Sequence, residues 1–350
     1  MDFNELNQKI RPYDEAAADR AVTQWNSIAK PIGSLGVLED DVVRIAGITG
    51  SEDIDISRRV VLAMCADNGV VAQGVTQTGQ EVTGLVASNM VRNCSSVCQM
   101  AKPAHADVVP VDVGIASPVE GIVDKNVMRG TNDMTLGPAM SREQAEAGVR
   151  AGIDMVHKLV GEGYRIIVTG EMGIGNTTTS SALVSALMGA DPEIVTGKGA
   201  GLSDEGLVRK VAAIRKAIEV NMPDADDALD CLAKVGGLDI AGMAGTFIGG
   251  ALEGVPVVVD GFVSLVAALV AVRLCPGCRP FMLASHVSAE PAARMVMAEL
   301  GLSPVITAGM RLGEGTGAVC LLPLLDMTLM LYRGTTFAAT GMDSYDEGLV

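Results

Sequence analysis

The segment Gly170-Glu171-Met172-Gly173-Ile174-Gly175-Asn176-Thr177 follows an apolar run and leads into a helix-prone stretch. Its spacing is that of a phosphate loop with asparagine standing where the lysine belongs. A nucleoside triphosphatase needs that lysine at the β- and γ-phosphates, so the pattern speaks against triphosphate hydrolysis. What survives is a glycine-rich turn entering a helix, whose free N–H groups and dipole can hold one phosphate. Glu171 would repel that phosphate, so it must face another part of the ligand, either a sugar hydroxyl or a developing cation.

Three further turns carry candidate side chains. Arg311-Leu312-Gly313-Glu314-Gly315-Thr316-Gly317 sets a carboxylate among glycines, which lets backbone approach a ligand closely, while Met310 and Leu312 can line an apolar wall. The residues alone leave Glu314 open between a general base and a solvated turn residue. In Ala284-Ser285-His286-Val287-Ser288-Ala289-Glu290, His286 reads more readily as structural than as a base, and Ser288 as an N-cap whose turn can meet a phosphate. Ala66-Asp67-Asn68-Gly69 is ordinary turn chemistry taken by itself. Lys210 lies about 60° off the stripe Leu207, Val211, Ile214 and Ile218, at the edge of a buried helix face, where snorkelling competes with a cleft-facing amine.

The elements that position these turns are short β-rich runs at 60–64, 108–113, 165–169, 256–259 and 280–284, separated by longer segments with helical periodicity. That alternation predicts an α/β fold with a largely parallel, Rossmann-like sheet flanked by helices. Ligands then belong outside the carboxyl ends of the strands, where the turns lie. Ser141 and Gln144 form a capping box ahead of Ala145, Val149, Ile153, Val156 and Val160, and a second helix starts at Ser203. We expect three segments: a helical one over 1–58, the α/β domain over 59–320, and a helical one ending in an acidic tail over 321–350. The two helical ends should pack together as a smaller part.

Composition excludes several classes of function. Lys and Arg number 26 against 42 Asp and Glu, a formal net charge of −16, which repels nucleic acid and anionic lipid. Aromatics make up 3% of the chain, so platforms for stacking bases are scarce. The apolar run 262–272 is too short for a membrane span, and the one near Leu321 is interrupted by Pro323 and Asp326; both read as buried helices. Seven cysteines are read as buried free thiols at Cys65, Cys94, Cys98, Cys231 and Cys320, suiting a reducing cytoplasm. Cys275-Pro-Gly-Cys278 lacks a second ligand pair and reads as a turn rather than a metal site. The amino terminus is charged and has no signal-peptide core.

Four segments together resemble the nicotinate-nucleotide:dimethylbenzimidazole phosphoribosyltransferase family, the enzymes that prepare the lower ligand of cobalamin. They are Lys30-Pro-Ile-Gly-Ser-Leu-Gly-Val-Leu-Glu39, the Asp67 turn with Gln80-Glu81-Val82-Thr83, the stretch 170–183, and 311–318. The resemblance implies a homodimer without metal or other cofactor, acting on nicotinate mononucleotide and a benzimidazole-type base. It implies Glu314 as general base, Glu171 as the second carboxylate and Lys210 as an active-site lysine. It places Gly173, Gly175, Asn176, Thr177 and Ser288 on the nucleotide, and Gln80, Leu312 and Asp67 beside the base. Asn68, Thr76 and Gly79 stand where the family often has His, Ser and Pro, so the acceptor stays open among benzimidazoles, adenine and phenols.

Overall fold

The strand β1 (Arg59–Ala66) reads Arg-Val-Val-Leu-Ala-Met-Cys-Ala, and all of it is buried. A strand apolar on both faces must be covered on both faces. Alternation does this: Val60, Leu62, Met64 and Ala66 enter one core, Val61, Ala63 and Cys65 the other. In the computed structural model, which describes residues 1–344, β1 is central to a six-stranded sheet. The other strands are β2 (Ala106–Gly114), β3 (Val123–Asp124), β4 (Ile166–Met172), β5 (Val257–Val259) and β6 (Met282–Ala284).

The order is β3-β2-β1-β4-β5-β6 and every pairing is parallel. Each of the five expected runs contains a strand, the last only over Met282–Ala284, because Pro280 and Phe281 close a 3-10 turn. β3 has two residues, too few for a period to show. The chain leaves β1 in one direction across the sheet and later returns to its other side at β4, which opens a crevice at their carboxyl ends. In that pair Met64 stands opposite Glu171.

The predicted capping box is formed, and its helix runs from Arg142 to Gly161. It packs on the helix Leu238–Glu253 with backbone nearly touching backbone. A Cβ on Gly152 would sit 2.0 Å from the Gly242 carbonyl oxygen, and one on Gly245 1.9 Å from that of Val149, so neither position accepts a side chain. Phe262–Leu274 and Thr316–Tyr332 are the two apolar helices expected, the second continuing through Pro323. No helix among the described residues is long and apolar enough to cross a membrane.

The two ends of the chain meet. Trp25 and Tyr332 make an edge-to-face pair with centroids 5.0 Å apart, and Ile28 bridges Thr336. Arg59 holds Asp326 through two hydrogen bonds, one of 2.8 Å. The Lys30–Glu39 segment serves this packing: the two end residues form a 2.8 Å ion pair, buried on both sides, and Lys30 lies over the Trp25 ring. The residues from 345 onward, which include most of the expected acidic tail, lie outside the described residues.

Two expectations for cysteine need correction: Cys94 is exposed and Cys320 only half-buried, because both fall on outward helix or turn positions. Cys275 and Cys278 sit buried in a 3-10 turn (Pro276–Phe281), and burial pushes the Cys275 thiol up to about 11.

Candidate active site

A cleft of about 340 Å³ opens at the carboxyl ends of β4, β5 and β6. The first turns of three helices line it: Asn176 and Thr177 from Asn176–Met188, Phe262 to Ser264 from Phe262–Leu274, and Thr316 from Thr316–Tyr332. Each has glycine at its N-cap, so no N-cap side chain bonds the first turn; the Asp260 carboxylate occupies the start of the third, and the first two offer N–H groups and dipole to an anion.

The two predicted carboxylates come to this one cleft. Glu171 is the penultimate residue of β4, and Glu314 sits on the turn that enters the helix at Thr316. The turn lies directly on the strand end: a Cβ on Gly170 would stand 2.6 Å from the Glu314 carbonyl oxygen, and one on Gly313 2.7 Å from Glu171 Oε1. Glu314 itself has φ +60°, between Gly313 at +91° and Gly315 at +95°. A non-glycine residue in the left-handed region is held there by its surroundings, here by the packing of the turn on the β4 end. Its Oε2 accepts a 3.0 Å hydrogen bond from the Val97 N–H.

Acidity is concentrated around Glu171. Its carboxyl is pushed up to about 8, chiefly by burial and then by the nearby Asp239, Asp260 and Glu314, while the Asn176 amide donates to Oε2 and opposes the shift. Asp260, at the end of β5, is raised by burial and lowered by His286; its Oδ1 accepts from the Ala318 N–H at 2.8 Å. His286 is buried on the cleft wall, 3.0 Å from Ser285 Oγ and 4.0 Å from Asp260, and its ring fills the space above Gly317. His286 thus both fills the packing space above Gly317 and faces the cleft beside Asp260.

Behind Thr177 the cleft wall is backed by a buried lysine. Lys210 is fully buried rather than at a helix edge, because its Nζ turns inward to donate to Thr177 Oγ1 at 2.7 Å and to the Gly197 carbonyl at 3.1 Å. Burial lowers its ammonium to about 8, with Glu290 pulling the other way. Lys210 stands one layer behind Thr177, which lines the cleft together with Gly199, Ser288 and Glu290. Ser288 is not an N-cap, since the next helix begins only at Ala293. Its Oγ accepts from the Glu290 N–H in a tight turn.

The remaining expected residues divide. Gly173, Asn176, Thr177 and Leu312 line the cleft, and Gly175 caps the helix behind it. Gln80 and Asp67 do not line it. Gln80 donates to the Asn68 carbonyl at 3.1 Å, and Asp67 is buried with Oδ2 accepting from the Ala116 N–H at 2.8 Å. Asp239, Asp260, Glu290 and Arg311 belong to the site or stand directly behind it, and the sequence reading assigned none of them a role. Asp260-Gly261 after the apolar run 256–259 carries the same strand-then-turn signature as Glu171 and could have been read that way.

Residues 10–342 match the phosphoribosyltransferase family. A protein of Acetivibrio thermocellus named nicotinate-nucleotide-dimethylbenzimidazole phosphoribosyltransferase is 43% identical over 330 residues, covering 93% of this chain and 94% of its own. The chain belongs to that family. A protein of the same name from an Escherichia coli strain is 42% identical over 94% of this chain and 92% of its own. The crystal structure of CobT from Thermus thermophilus superposes with a TM-score of 0.89 at 35% identity, covering 94% of this chain and all of that one. A second structure, titled with the full family name and from the same organism, gives 0.88 at 36% identity, covering 94% and 99%. The similarity spans the whole parallel sheet, including the ends of β4, β5 and β6 that carry the two carboxylates and the cleft between them.

Proposed function

We propose that this protein transfers the phosphoribosyl group of nicotinate mononucleotide to 5,6-dimethylbenzimidazole or a closely related base. The products are an α-ribotide 5′-phosphate and nicotinate, with inversion at C1′. The observation that carries this reading is the meeting of Glu171 and Glu314 in one cleft, where Gly313 packs on Glu171.

Nicotinate joined through its ring nitrogen is a cationic leaving group, so C1′ can lose it without an acid. The C1′–N bond breaks with its electron pair going to the pyridine nitrogen, and a benzimidazole nitrogen forms the new bond from the opposite face. The proton on the other azole nitrogen passes to Glu314. What the protein supplies is alignment, negative field at the developing oxocarbenium, and that proton acceptor. Glu171 supplies field near the ribose. The phosphate belongs at the end formed by Gly173, Gly175, Asn176, Thr177 and Ser288, with Lys210 holding Thr177 and the 197–199 loop in place. Leu312, 56% exposed, covers the base. Gln80 and Asp67 reach the base only through the turn they brace.

A homodimer fits the outer face of the helix Thr316–Tyr332. Cys320, Leu324, Met327 and Leu331 fall on one stripe there, with Met327 62% and Met330 72% exposed, and a second copy would cover them. The packing of 1–58 against 321–344 supports treating these segments as one small helical part beside 59–320. The odd cysteine count and buried thiols support a cytoplasmic location.

The test is direct. The purified protein is incubated with nicotinate mononucleotide and a panel of azoles and phenols, and released nicotinate and new ribotide are followed by chromatography. Nicotinate released in step with an α-ribotide of dimethylbenzimidazole is the expected result; no product with any azole refutes the reading.

A further inference from the structure

Asp239 opens the helix Leu238–Glu253 directly beneath the Gly173 loop and is completely buried. Its Oδ1 accepts from the Ile240 N–H at 3.0 Å, while Oδ2 has no hydrogen-bond partner. The loop above is pressed onto that free oxygen: a Cβ on Gly173 would lie 2.3 Å from Oδ2. An unpartnered buried carboxylate oxygen is costly unless it carries a proton or serves a purpose.

Asn176 stands between this group and the cleft. One N–H of its side-chain amide is given to Glu171 Oε2, and the amides of Asn176 and Asn68 both face Asp239 closely enough to favour its ionised form, although neither completes a hydrogen bond to Oδ2. A side-chain amide carries two hydrogens, so Asn176 can link two acids. We propose that Asp239 is a positioning residue that holds Asn176 against Glu171, that its charge in the same dry pocket keeps one proton on the acid pair in the free enzyme, and that the cationic ring of the nucleotide expels this proton on binding. This rests on the nucleotide assignment above.

Titration supports the geometry. Burial pushes Asp239 up to about 7 and Glu171 up to about 8, and Asp239 is the first charge among those raising Glu171. The other charged or titratable groups facing the pair are Asp260 at the end of β5, Glu314 on its turn, and Cys65 of β1, whose thiol is pushed upward chiefly by burial and then by Glu171. Arg311 and Glu290 line the same cleft, and His286 faces Asp260. Two acids held close in a dry site cannot both ionise readily, and a pyridinium placed between them and C1′ removes that obstacle. The released proton goes to solvent, leaving two carboxylates to stabilise positive charge at C1′.

Calorimetric titration of the full chain with nicotinate mononucleotide, at pH 7.5 in two buffers of different ionisation enthalpy, counts that proton. Close to one proton released per nucleotide is expected, falling toward none at pH 9.5. In Asp239→Asn the release at pH 7.5 should shrink, and the acidic limb of kcat/KM should move about one pH unit lower as the repelling charge is removed; a merely structural role would lower the rate without moving the limb. No release from the wild-type chain, or an unmoved limb in Asp239→Asn, overturns the proposal. Should Asp239→Asn not fold, Asp239→Ser, smaller and also uncharged, gives the same two readouts. Nicotinate release from the same protein after dimethylbenzimidazole is added separates the two readings: no turnover counts against phosphoribosyl transfer, whereas turnover without proton release on nucleotide binding counts against the acid pair only.

Discussion

The carboxylate of Glu314 and the backbone N–H of Val97, 217 residues apart in sequence, are joined by a 3.0 Å hydrogen bond. The bond fixes one oxygen of Glu314 and leaves the other to the cleft. It also ties the Gly313–Gly315 turn to the opening of the short helix Ser96–Ala101, whose Ser96 lines the cleft.

Glu314→Gln should therefore test proton acceptance with little change of shape. A glutamine keeps an oxygen for the Val97 N–H but takes no proton. A positioned general base contributes about 10²–10⁴-fold, so kcat should fall by that factor while nucleotide affinity, measured by calorimetry, barely changes. A near-wild-type kcat removes Glu314 from the role.

Lys210 makes a different prediction. Its ammonium is lowered to about 8 by burial, so the cation that steadies Thr177 and Gly197 is lost as pH rises through that region. The alkaline limb of kcat/KM, which reports the free enzyme, should lie near pH 8. Lys210→Met should abolish that limb and raise KM for nicotinate mononucleotide at least about tenfold, because Thr177 and the Gly197 carbonyl, at the end proposed for the phosphate, lose the donor that holds them. An unchanged limb in Lys210→Met assigns the titration elsewhere.

Much of this is legible in the chain because strand-then-turn is a local signal. The runs before Asp67, Glu171, Asp260 and His286 are apolar and β-rich, and the parallel fold follows from their spacing. That Glu171 and Glu314 share a cleft is not readable from periodicity; it depends on the register of β4 and on glycines whose role is close contact. Helical angle alone puts Lys210 at a helix edge, since it gives direction but not what covers the side chain. Asp239 escapes a sequence reading because a helix-opening aspartate looks like an ordinary cap, and only the Gly173 loop above it makes it unusual.

Gly173→Ala tests that contact. Its Cβ would meet Asp239 Oδ2 at 2.3 Å and the Ala66 carbonyl oxygen at 2.6 Å, so the loop must lift. Overpacking of this kind costs about 1–3 kcal/mol. We expect a lower denaturation midpoint together with weakened nucleotide binding. Full binding at wild-type stability shows that the loop moves freely.

Asp41 supplies a prediction remote from the cleft. It lies in the helix Val37–Thr49, 3% exposed, with Oδ2 unpartnered, and burial pushes its carboxyl up to about 7 despite Arg44. The unfolded chain titrates near the ordinary value of 3.8. Between those two values the folded state keeps a proton that the unfolded state gives up, so stability declines as pH rises through this window and the loss is complete above about 7. Asp41→Asn removes that titration. Urea unfolding should therefore show the variant gaining on the wild type as pH goes from 5 to 8, by about 2–3 kcal/mol, since each pH unit crossed inside the window costs the wild type about 1.4 kcal/mol. The buried acids of the cleft titrate alike in both proteins and cancel in the difference. A gap between variant and wild type that stays constant across this range shows that Asp41 titrates near its ordinary value, by water reaching Oδ2 or by a shift of the helix.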